Sequence, residues 1–401
     1  MTLTDRFGAV MMPNYGVPPL ALDHGDGVLV WDVDGNAYLD FIGGIAVSSL
    51  GHAHPAIVRA VTNQVQKLAH TSNLFVHEPG VRLAEKLVDI VGMRSRVFFA
   101  NSGAEANECA IKLSRKYGRK LDPDGSRLEI VAAHHSFHGR TMGALAITGN
   151  APKREPFAPL PGPVTFVDYG DVNALRAAVT TRTAAVFVEP TLGEGGVVPA
   201  PAGYLAAARQ ICDETGALLV ADEVQSGIGR TGHWLASLAE GVRPDVITLA
   251  KGLGGGLPIG ACIGVGDAGD LFAAGDHGST FGGNPVACAA ALAVITTITD
   301  THLLDNVKRV GEYLAHQLAA IDDPLVAQVR GSGLWRGIAL TEAKATQVEA
   351  AARANGLLVN AVKPDVIRLA PPLILTEREV DDAVPRLAQA IAAASVGTVL
   401  S

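Results

Sequence analysis

Six short apolar runs, rich in β-branched residues and separated by segments of helical period, most constrain how this chain folds. Each run is continuous rather than alternating, and continuous runs are typical of strands that are buried on both faces. The intervening segments carry apolar residues at helical spacing, as in Ala106, Cys109, Ala110 and Leu113. The sequence therefore predicts an α/β fold in which helices flank a mostly parallel central sheet. The predicted strands span residues 96–100, 129–133, 184–188, 217–221, 246–250 and 261–265.

The two ends of the chain differ in character from its centre. Residues 1–57 are rich in turn dipeptides, and the chain beyond Asn284 passes from a long helix through short mixed elements to a final helix over 377–394. We expect a large domain over 58–284 and a small α+β domain built from both ends of the chain. Residues 1–57 would form the N-terminal segment of the small domain, and residues 285–401 its C-terminal part.

The composition argues against several classes of partner and location. The 401 residues include 40 acidic and 32 basic ones, a net charge of −8, which argues against nucleic acid or an anionic membrane as a partner. The four cysteines lie far apart without a C-x-x-C pair, which favours reduced thiols and a cytoplasmic protein. Residues 1–12 lack the pattern of a secretory signal. The uncharged stretch 281–299 is long enough to span a membrane, but its glycines, proline and threonines favour a buried, alanine-rich helix.

Polar and glycine-rich segments directly follow the predicted strands. Open α/β sheets bind their ligands at this position, outside the carboxyl ends of the strands. Ser102, Gly103 and Ala104 open a helix directly after a strand, and the free N–H groups of a helix N-terminus attract a phosphate. An ordinary helix cap by Ser102 explains the same residues. This segment alone therefore leaves both interpretations open.

Lys251 and Asp222 each lie at the end of an apolar strand, where a charged side chain is costly. A desolvated lysine has a lowered pKa and becomes a nucleophile that forms Schiff bases. A buried carboxylate needs a cationic partner, and the pyridinium nitrogen of pyridoxal phosphate is such a partner. Either residue alone is also compatible with a structural ion pair. Together they indicate a pyridoxal phosphate site.

Four segments resemble the signature segments of class III aminotransferases, which are pyridoxal-phosphate enzymes of fold type I; they are residues 101–108, 222–225, 250–252 and 278–285. The resemblance extends over nearly the whole chain. Within this family the chain is most similar to the N-acetylornithine aminotransferases, particularly the actinobacterial ones. The segments that carry this closer resemblance are residues 41–47, 51–55, 136–141 and 367–372.

The resemblance implies how the cofactor is held. It implies that Lys251 forms the Schiff base with pyridoxal 5′-phosphate and that Asp222 keeps the ring nitrogen protonated, so that the ring acts as an electron sink. Phe137 would stack on the ring and Gln225 would reach its phenolic oxygen. Thr280 would hold the phosphate of the partner subunit's cofactor, which implies a homodimer with shared sites. The full implied cofactor set is Ser102, Gly103, Ala104, Phe137, Asp222, Val224, Gln225, Lys251 and Thr280.

The resemblance also implies the substrates. Arg368 would take the α-carboxylate of glutamate, and Glu194 would pair with Arg368 when the ω-amino substrate is bound. Arg140 and Ser279 would contact the acylated end of that substrate, while Tyr15 is expected either at the pocket mouth or packed against the partner subunit. The implied reaction moves the δ-amino group of N-acetylornithine to 2-oxoglutarate and gives N-acetylglutamate 5-semialdehyde and glutamate, a step of arginine biosynthesis. Ornithine, succinylornithine, 4-aminobutyrate and succinyl-diaminopimelate remain alternative donors, and an aminomutase or a decarboxylase remains an alternative activity.

Three further interpretations are weaker. Residues 227–232 fit G-x-G-x-x-G, but five residues separate them from the preceding strand and the next strand ends in Lys251 instead of an acid, which disfavours an NAD-dependent dehydrogenase. His134, His135 and His138 have histidine spacing compatible with a metal, yet they follow a strand beside a glycine, so loop hydrogen bonds are favoured and no metal is expected. A non-catalytic dimer is disfavoured because Lys251 and Asp222 are both present.

Overall fold

The computed structural model describes residues 1–396. The helices of this part are α1 Leu3–Val10, α2 Gly43–Ala46, α3 Pro55–Lys67, α4 Glu78–Val91, α5 Gly103–Leu121, α6 Met142–Ala146, α7 Ala151–Arg154, α8 Val172–Ala178, α9 Tyr204–Thr215, α10 Ala236–Ala239, α11 Pro285–Asp300, α12 Leu303–Ala319, α13 Ala345–Ala354 and α14 Glu377–Ser395. The strands are β1 Leu22–Asp26, β2 Leu29–Asp32, β3 Ala37–Asp40, β4 Ser95–Ala100, β5 Glu129–Ala133, β6 Val164–Val167, β7 Thr183–Val188, β8 Thr191–Leu192, β9 Val198–Pro199, β10 Leu218–Asp222, β11 Val246–Leu249, β12 Gly260–Val265, β13 Val326–Ser332, β14 Trp335–Leu340, β15 Leu357–Leu358, β16 Asn360–Lys363 and β17 Val366–Leu369. Short 3₁₀ turns lie at Pro13–Tyr15, Glu155–Phe157, Lys251–Leu253 and Gly266–Asp270.

A seven-stranded central sheet organises the chain, in the order β4-β12-β11-β10-β7-β5-β6. Six strands run parallel, and β12 runs antiparallel to its neighbours β4 and β11. All six predicted strands lie in this sheet within one or two residues of their predicted bounds. The predicted α/β class and mostly parallel sheet are confirmed. The edge strand β6 was not predicted, because its four residues are mostly only partly buried and form no long apolar run.

Both faces of the central sheet are covered, which explains the continuous apolar runs. In β10 the side chain of Leu219 belongs to the cluster under α8 and α9. Its neighbours Leu218 and Val220 belong to the opposite cluster, which includes Cys109 and Leu113 of α5. Alternate side chains therefore enter two different cores, and every position in the strand is buried.

The two ends of the chain meet in a four-stranded sheet of order β1-β2-β3-β15. Leu357 of β15 lies opposite Leu39 of β3 in parallel pairing. A second four-stranded sheet, β13-β14-β17-β16, is antiparallel throughout. The pairing of β3 with β15 agrees with a small domain assembled from both ends, while the boundaries at 57 and 284 stay a prediction.

Helix α11 is the buried, alanine-rich helix that the uncharged stretch predicts. It begins after Asn284, whose side-chain oxygen accepts a hydrogen bond from the N–H of Ala287 at 3.0 Å. Its apolar side chains pack with those of α3 and α4 in the largest core cluster. No single helix of residues 1–396 is long and apolar enough to cross a membrane. Helices α11 and α12, which are bent by 70° relative to each other, reach that length and apolar composition only when taken together.

The position of a leucine in this structure predicts how much its replacement by alanine lowers the free energy of unfolding. Leu87 of α4 is fully buried in the largest cluster, so Leu87→Ala removes packed atoms and leaves a cavity. We expect the free energy of unfolding, measured by urea denaturation, to fall by about 2–5 kcal/mol. The matched control is Leu121→Ala, because Leu121 is 49% exposed, and it should change stability by less than about 0.5 kcal/mol. Equal losses in the two variants would contradict this assignment of the core.

Candidate active site

A cavity of about 390 Å³ opens where the strands of the central sheet end. Its walls come from the segments that follow β4, β5, β10 and β11, which the parallel topology brings to one edge. Nine of the predicted site residues line it: Ser102, Gly103, Ala104, Phe137, Arg140, Asp222, Val224, Gln225 and Lys251.

Asp222 is buried at the end of β10 and is held by three donors. Its Oδ2 accepts hydrogen bonds from Asn107 Nδ2 at 2.8 Å and from His138 Nδ1 at 2.7 Å. Its Oδ1 accepts from the backbone N–H of Val224 at 3.0 Å. Asn107 is itself oriented by Thr248, whose hydroxyl donates to Asn107 Oδ1 at 3.0 Å. The orientation of the carboxylate is therefore fixed. A carboxylate that pairs with a ring nitrogen needs such a fixed orientation.

His138 is fully buried against Asp222, so loop hydrogen bonding is the role that the structure gives it. Burial disfavours its charged form, but the hydrogen bond and the charge of Asp222, together with Glu189, outweigh burial and raise the pKa of His138. His134, by contrast, packs near the ring of Phe166. No cluster of three or more metal-ligating side chains occurs within the described residues 1–396.

The start of α5 forms one corner of the cavity. Ser102 caps the helix, since its Oγ accepts a hydrogen bond from the N–H of Glu105 at 3.2 Å. A side chain at Gly103 would place its Cβ 2.7 Å from Cγ1 of Val224, so glycine is required for the close approach of these two segments. The cap and the phosphate interpretations are compatible here, because the Ser102 hydroxyl binds one N–H while the helix N-terminus still faces the cavity.

Lys251 lines the same cavity as Asp222 and lies two residues after the end of β11. Its φ of +43° is unusual for a residue with a side chain and marks local strain. Burial is the main cause that lowers the pKa of Lys251 to about 8, and Arg368 adds to it, while Glu194, Asp222 and Glu189 act in the opposite direction. An amine with this pKa is partly neutral near pH 7 and can act as a nucleophile or a base.

Arg368 and Glu194 form an ion pair next to the cavity. Arg368 of β17 is buried, and its Nη1 donates to Glu194 Oε1 at 2.7 Å. Nη1 also approaches Gln225 Oε1 at 3.4 Å, and Nη2 donates to Asn360 Oδ1 at 2.7 Å. Burial raises the pKa of Glu194, but Arg368, with smaller effects of Lys251 and Lys153, outweighs burial and lowers it overall. Glu194 therefore stays ionised beside Gln225, for which we predict contact with the cofactor.

Besides Arg368 and Glu194, three further predicted residues lie outside the lining of the cavity in the single chain. Ser279 accepts a hydrogen bond at Oγ from Asn101, a cavity residue, at 3.2 Å. Thr280 is exposed on the same loop, and Tyr15 is 86% exposed near the N-terminus. The predicted roles of these three residues depend on a partner subunit or a bound substrate and stay predictions.

Glu189 is a site residue that the sequence reasoning missed. It is buried directly after β7, where its Oε1 accepts from the N–H of Phe137 at 2.8 Å and its Oε2 from the N–H of Gly193 at 3.2 Å. Its carboxyl thus joins the loop of Phe137 to the loop that carries Glu194. The signal that could have found it is its position after a buried strand, which Asp222 shares.

The glycines of residues 227–232 have a structural role instead of a nucleotide-binding one. Arg230 is buried within this loop and donates to the backbone carbonyls of Leu334 and Pro371. A Cβ at Gly232 would lie 2.6 Å from Cγ of Lys308 in α12. The loop is therefore filled by the chain itself, which argues against the dehydrogenase interpretation.

The donor set of the cavity fits pyridoxal 5′-phosphate. A fixed, buried carboxylate faces it at Asp222, a lysine of lowered pKa at Lys251 and a helix N-terminus at Gly103. The aromatic side chain of Phe137 adds an apolar group to the lining. These groups match a pyridinium nitrogen, an aldehyde and a phosphate, respectively.

Glu189 makes a testable contribution to the pH dependence of stability. Burial is the main cause that raises its pKa from 4.5 to about 7, so the folded state binds this proton more tightly than the unfolded state. Its contribution to stability therefore decreases as the pH rises from about 4.5 to about 7. Glu189→Gln removes the titration and keeps an acceptor for the N–H of Phe137. Relative to the wild type, the unfolding free energy of this variant should rise by at most about 3 kcal/mol over that range.

Urea denaturation at a series of pH values checks this expectation. Glu85→Gln is the matched control, because Glu85 is exposed on α4, and its difference from the wild type should stay constant. A pH-independent difference for Glu189→Gln as well would show that the wild-type carboxyl does not titrate in this range.

Comparison with known proteins identifies the family. The model of the class III aminotransferases matches residues 10–391. The acetylornithine aminotransferase of Mycobacterium tuberculosis (strain H37Rv) is 58% identical over 388 residues, which cover 96% of this chain and 95% of that protein. The acetylornithine aminotransferase of Streptomyces coelicolor is 58% identical over 380 residues, which cover 94% of this chain and 92% of that protein.

Two solved structures show the same fold. The ornithine aminotransferase of Toxoplasma gondii ME49 matches with a TM-score of 0.94 and 33% identity, covering 99% of this chain and 97% of that one. The N-acetylornithine aminotransferase of Stenotrophomonas maltophilia K279a matches with a TM-score of 0.84 and 37% identity, covering 95% of this chain and 98% of that one. This chain therefore belongs to the class III aminotransferases, the fold-type-I enzymes that use pyridoxal 5′-phosphate.

Proposed function

We propose that this enzyme transfers the δ-amino group of N²-acetyl-L-ornithine to 2-oxoglutarate, producing N-acetyl-L-glutamate 5-semialdehyde and L-glutamate. Acetylornithine aminotransferases that are 50–58% identical over nearly the whole chain support this assignment. The structural observation that carries it is the ion pair of Arg368 and Glu194 at 2.7 Å beside Lys251. A transaminase must accept two different substrates in one site, and this pair offers a cation that is either neutralised internally or free for a substrate carboxylate.

Lys251 is the residue that we assign to proton transfer. The bound cofactor supplies an electron sink for the bonds at the amine-bearing carbon. With a pKa of about 8, the Lys251 amine would take a proton from that carbon as a base and, as an acid, would deliver it to C4′ of the cofactor. Asp222, held by Asn107 and His138, stabilises positive charge at the ring nitrogen.

The carboxylates of the substrates determine how they are oriented. We assign the α-carboxylate of glutamate and 2-oxoglutarate to Arg368, which must then release Glu194. The carboxylate at the acylated end of N-acetylornithine is assigned to Arg140, which lines the cavity, and to Ser279. Arg368 stays paired with Glu194 while N-acetylornithine is bound, because its δ-amino end carries no carboxylate. The same site thereby accepts both substrates in turn.

We infer a homodimer in which each subunit completes the site of the other. Leu74, Phe75 and Val76 form an apolar surface on one loop, with exposures of 86%, 68% and 88%. Asn73 Nδ2 joins this loop to the loop of Thr280 by hydrogen bonds to the carbonyls of Ser279 at 3.3 Å and Gly282 at 3.2 Å. Exposed apolar surfaces of this kind are typical of subunit interfaces.

A role in arginine biosynthesis follows from the proposed reaction. We also propose a cytoplasmic location. All four cysteines are free and buried, which is compatible with a reducing compartment.

Absorption spectroscopy of the holoenzyme tests the donor directly. Addition of N-acetylornithine without a keto acid should convert the pyridoxal form of the cofactor into its pyridoxamine form, and 2-oxoglutarate should reverse the change. Lys251→Ala should reduce turnover by several orders of magnitude, because no other residue is assigned to the proton transfer. Ornithine and 4-aminobutyrate serve as comparison donors. Conversion by either of these but not by N-acetylornithine would replace the proposed substrate and leave the cofactor site intact.

Mixed dimers test the shared site. Lys251→Ala inactivates its own site, and Thr280→Glu places a carboxylate where we expect the phosphate of the partner's cofactor. Unfolding and refolding the two variants together should restore activity, because one site of each mixed dimer then carries neither change. The control mixes the wild type with the Lys251→Ala/Thr280→Glu double variant, in which every site of a mixed dimer is altered. The control should therefore retain only the activity of the wild-type dimers that re-form. Activity above that level in the control, or none in the first mixture, would argue against sharing.

A further inference from the structure

Lys153 lies beside the pair of Arg368 and Glu194 and has no part in the chemistry described so far. It belongs to α7, which is capped by Asn150, whose side-chain oxygen accepts from the N–H of Lys153 at 3.2 Å. Lys153 Nζ lies 3.9 Å from Glu194 Oε2 and 5.4 Å from the centre of the Phe137 ring. The two oxygens of Glu194 therefore face two different cations, Arg368 through Oε1 and Lys153 through Oε2.

The substrate end of the site carries more positive than negative charge. Burial is the main cause that lowers the pKa of Lys153, Glu194 opposes it, and Arg140 and Arg368 lower the pKa further. Of these neighbours only Glu194 is an acid. A dicarboxylate would add two negative charges, which together with Glu194 balance the three cations Arg140, Lys153 and Arg368.

Binding of a substrate carboxylate at Arg368 would remove the ion-pair partner of Glu194. The Glu194 side chain is three-quarters buried, and a buried carboxylate that loses its partner is strongly destabilising. Lys153 is already oriented toward the second oxygen. A movement of about 1 Å would shorten the 3.9 Å separation to the length of a charge-assisted hydrogen bond.

We propose that Lys153 is a positioning residue that holds Glu194 while the α-carboxylate of a dicarboxylate occupies Arg368. The proposal rests on the proposed use of Arg368 by 2-oxoglutarate and glutamate, and it assigns Lys153 to that half of the reaction. Glu194 stays on Arg368 when N-acetylornithine is bound, so the first half of the reaction does not need the exchange. Lys153 thereby favours dicarboxylates over substrates that lack a carboxylate at this end.

Lys153→Met tests the proposal in the holoenzyme, because methionine keeps an unbranched side chain over Phe137 without the charge. We expect the Kd of glutarate, an unreactive dicarboxylate, to rise about tenfold in isothermal titration calorimetry, and the KM for the keto-acid substrate to rise similarly. The rate of cofactor conversion by N-acetylornithine should stay unchanged. Lys153→Arg should restore glutarate binding. Lys120→Met, which removes an exposed lysine of α5, is the matched control for net charge.

A double-mutant cycle with Glu194→Gln separates this role from direct contact with the ligand. In the Glu194→Gln background there is no carboxylate for Lys153 to hold, so Lys153→Met should add no further loss of glutarate affinity. An equal loss in both backgrounds would show direct contact and overturn the proposal, as would unchanged glutarate binding in Lys153→Met. Glutarate binding does not depend on turnover of N-acetylornithine, so a wrong donor and a wrong role for Lys153 give different results.

Discussion

The buried carboxylate of Asp222 is the constraint on which the rest of the site depends. A charge at the end of a fully buried strand is costly unless its oxygens are hydrogen-bonded. The donors come from α5 through Asn107, from the loop after β5 through His138, and from the backbone at Val224. Satisfying this one group therefore fixes the helix whose N-terminus faces the cavity and the loop that carries Phe137 relative to the sheet. The stability of the core and the shape of the site are linked through it.

The same arrangement keeps Lys251 available for chemistry. Asp222 and Lys251 follow neighbouring strands and line one cavity, but the partners of Asp222 are Asn107, His138 and Val224 instead of the lysine. The cavity that both residues line has a volume of about 390 Å³, which leaves room for a ring. The pKa of Lys251 is lowered chiefly by burial and then by Arg368. The group that we propose to bind a substrate carboxylate thus also affects the amine that we propose to move the proton. A carboxylate bound to Arg368 would neutralise its charge and so weaken its effect on the pKa of Lys251.

The central sheet and two of its site residues could be predicted from the sequence, because the features that indicate them lie close together along the chain. A strand buried on both faces needs a continuous apolar run, and a ligand site after such a strand needs polar residues in sequence, as at Asp222 and Lys251. The contact of His138 with Asp222 spans 84 residues and leaves no local signal. Glu189 could be noticed by its position, but its two backbone donors could not. The role predicted for Thr280 would need a subunit interface, which no pattern within one chain describes.

The two ends of the site differ in whether their charged groups have an alternative partner, and this difference suits a transaminase. At the ring end every bond to Asp222 is 3.0 Å or shorter, so the cofactor would meet a fixed set of groups. At the substrate end the 2.7 Å ion pair of Arg368 and Glu194 is also short, but Lys153 lies 3.9 Å from Glu194 as a second cation. Opening the pair costs less when Glu194 keeps a cation within reach, because a buried carboxylate without a partner is strongly destabilising. A rigid cofactor end preserves one chemistry, while a substrate end with alternative partners lets a single cavity alternate between substrates of different charge.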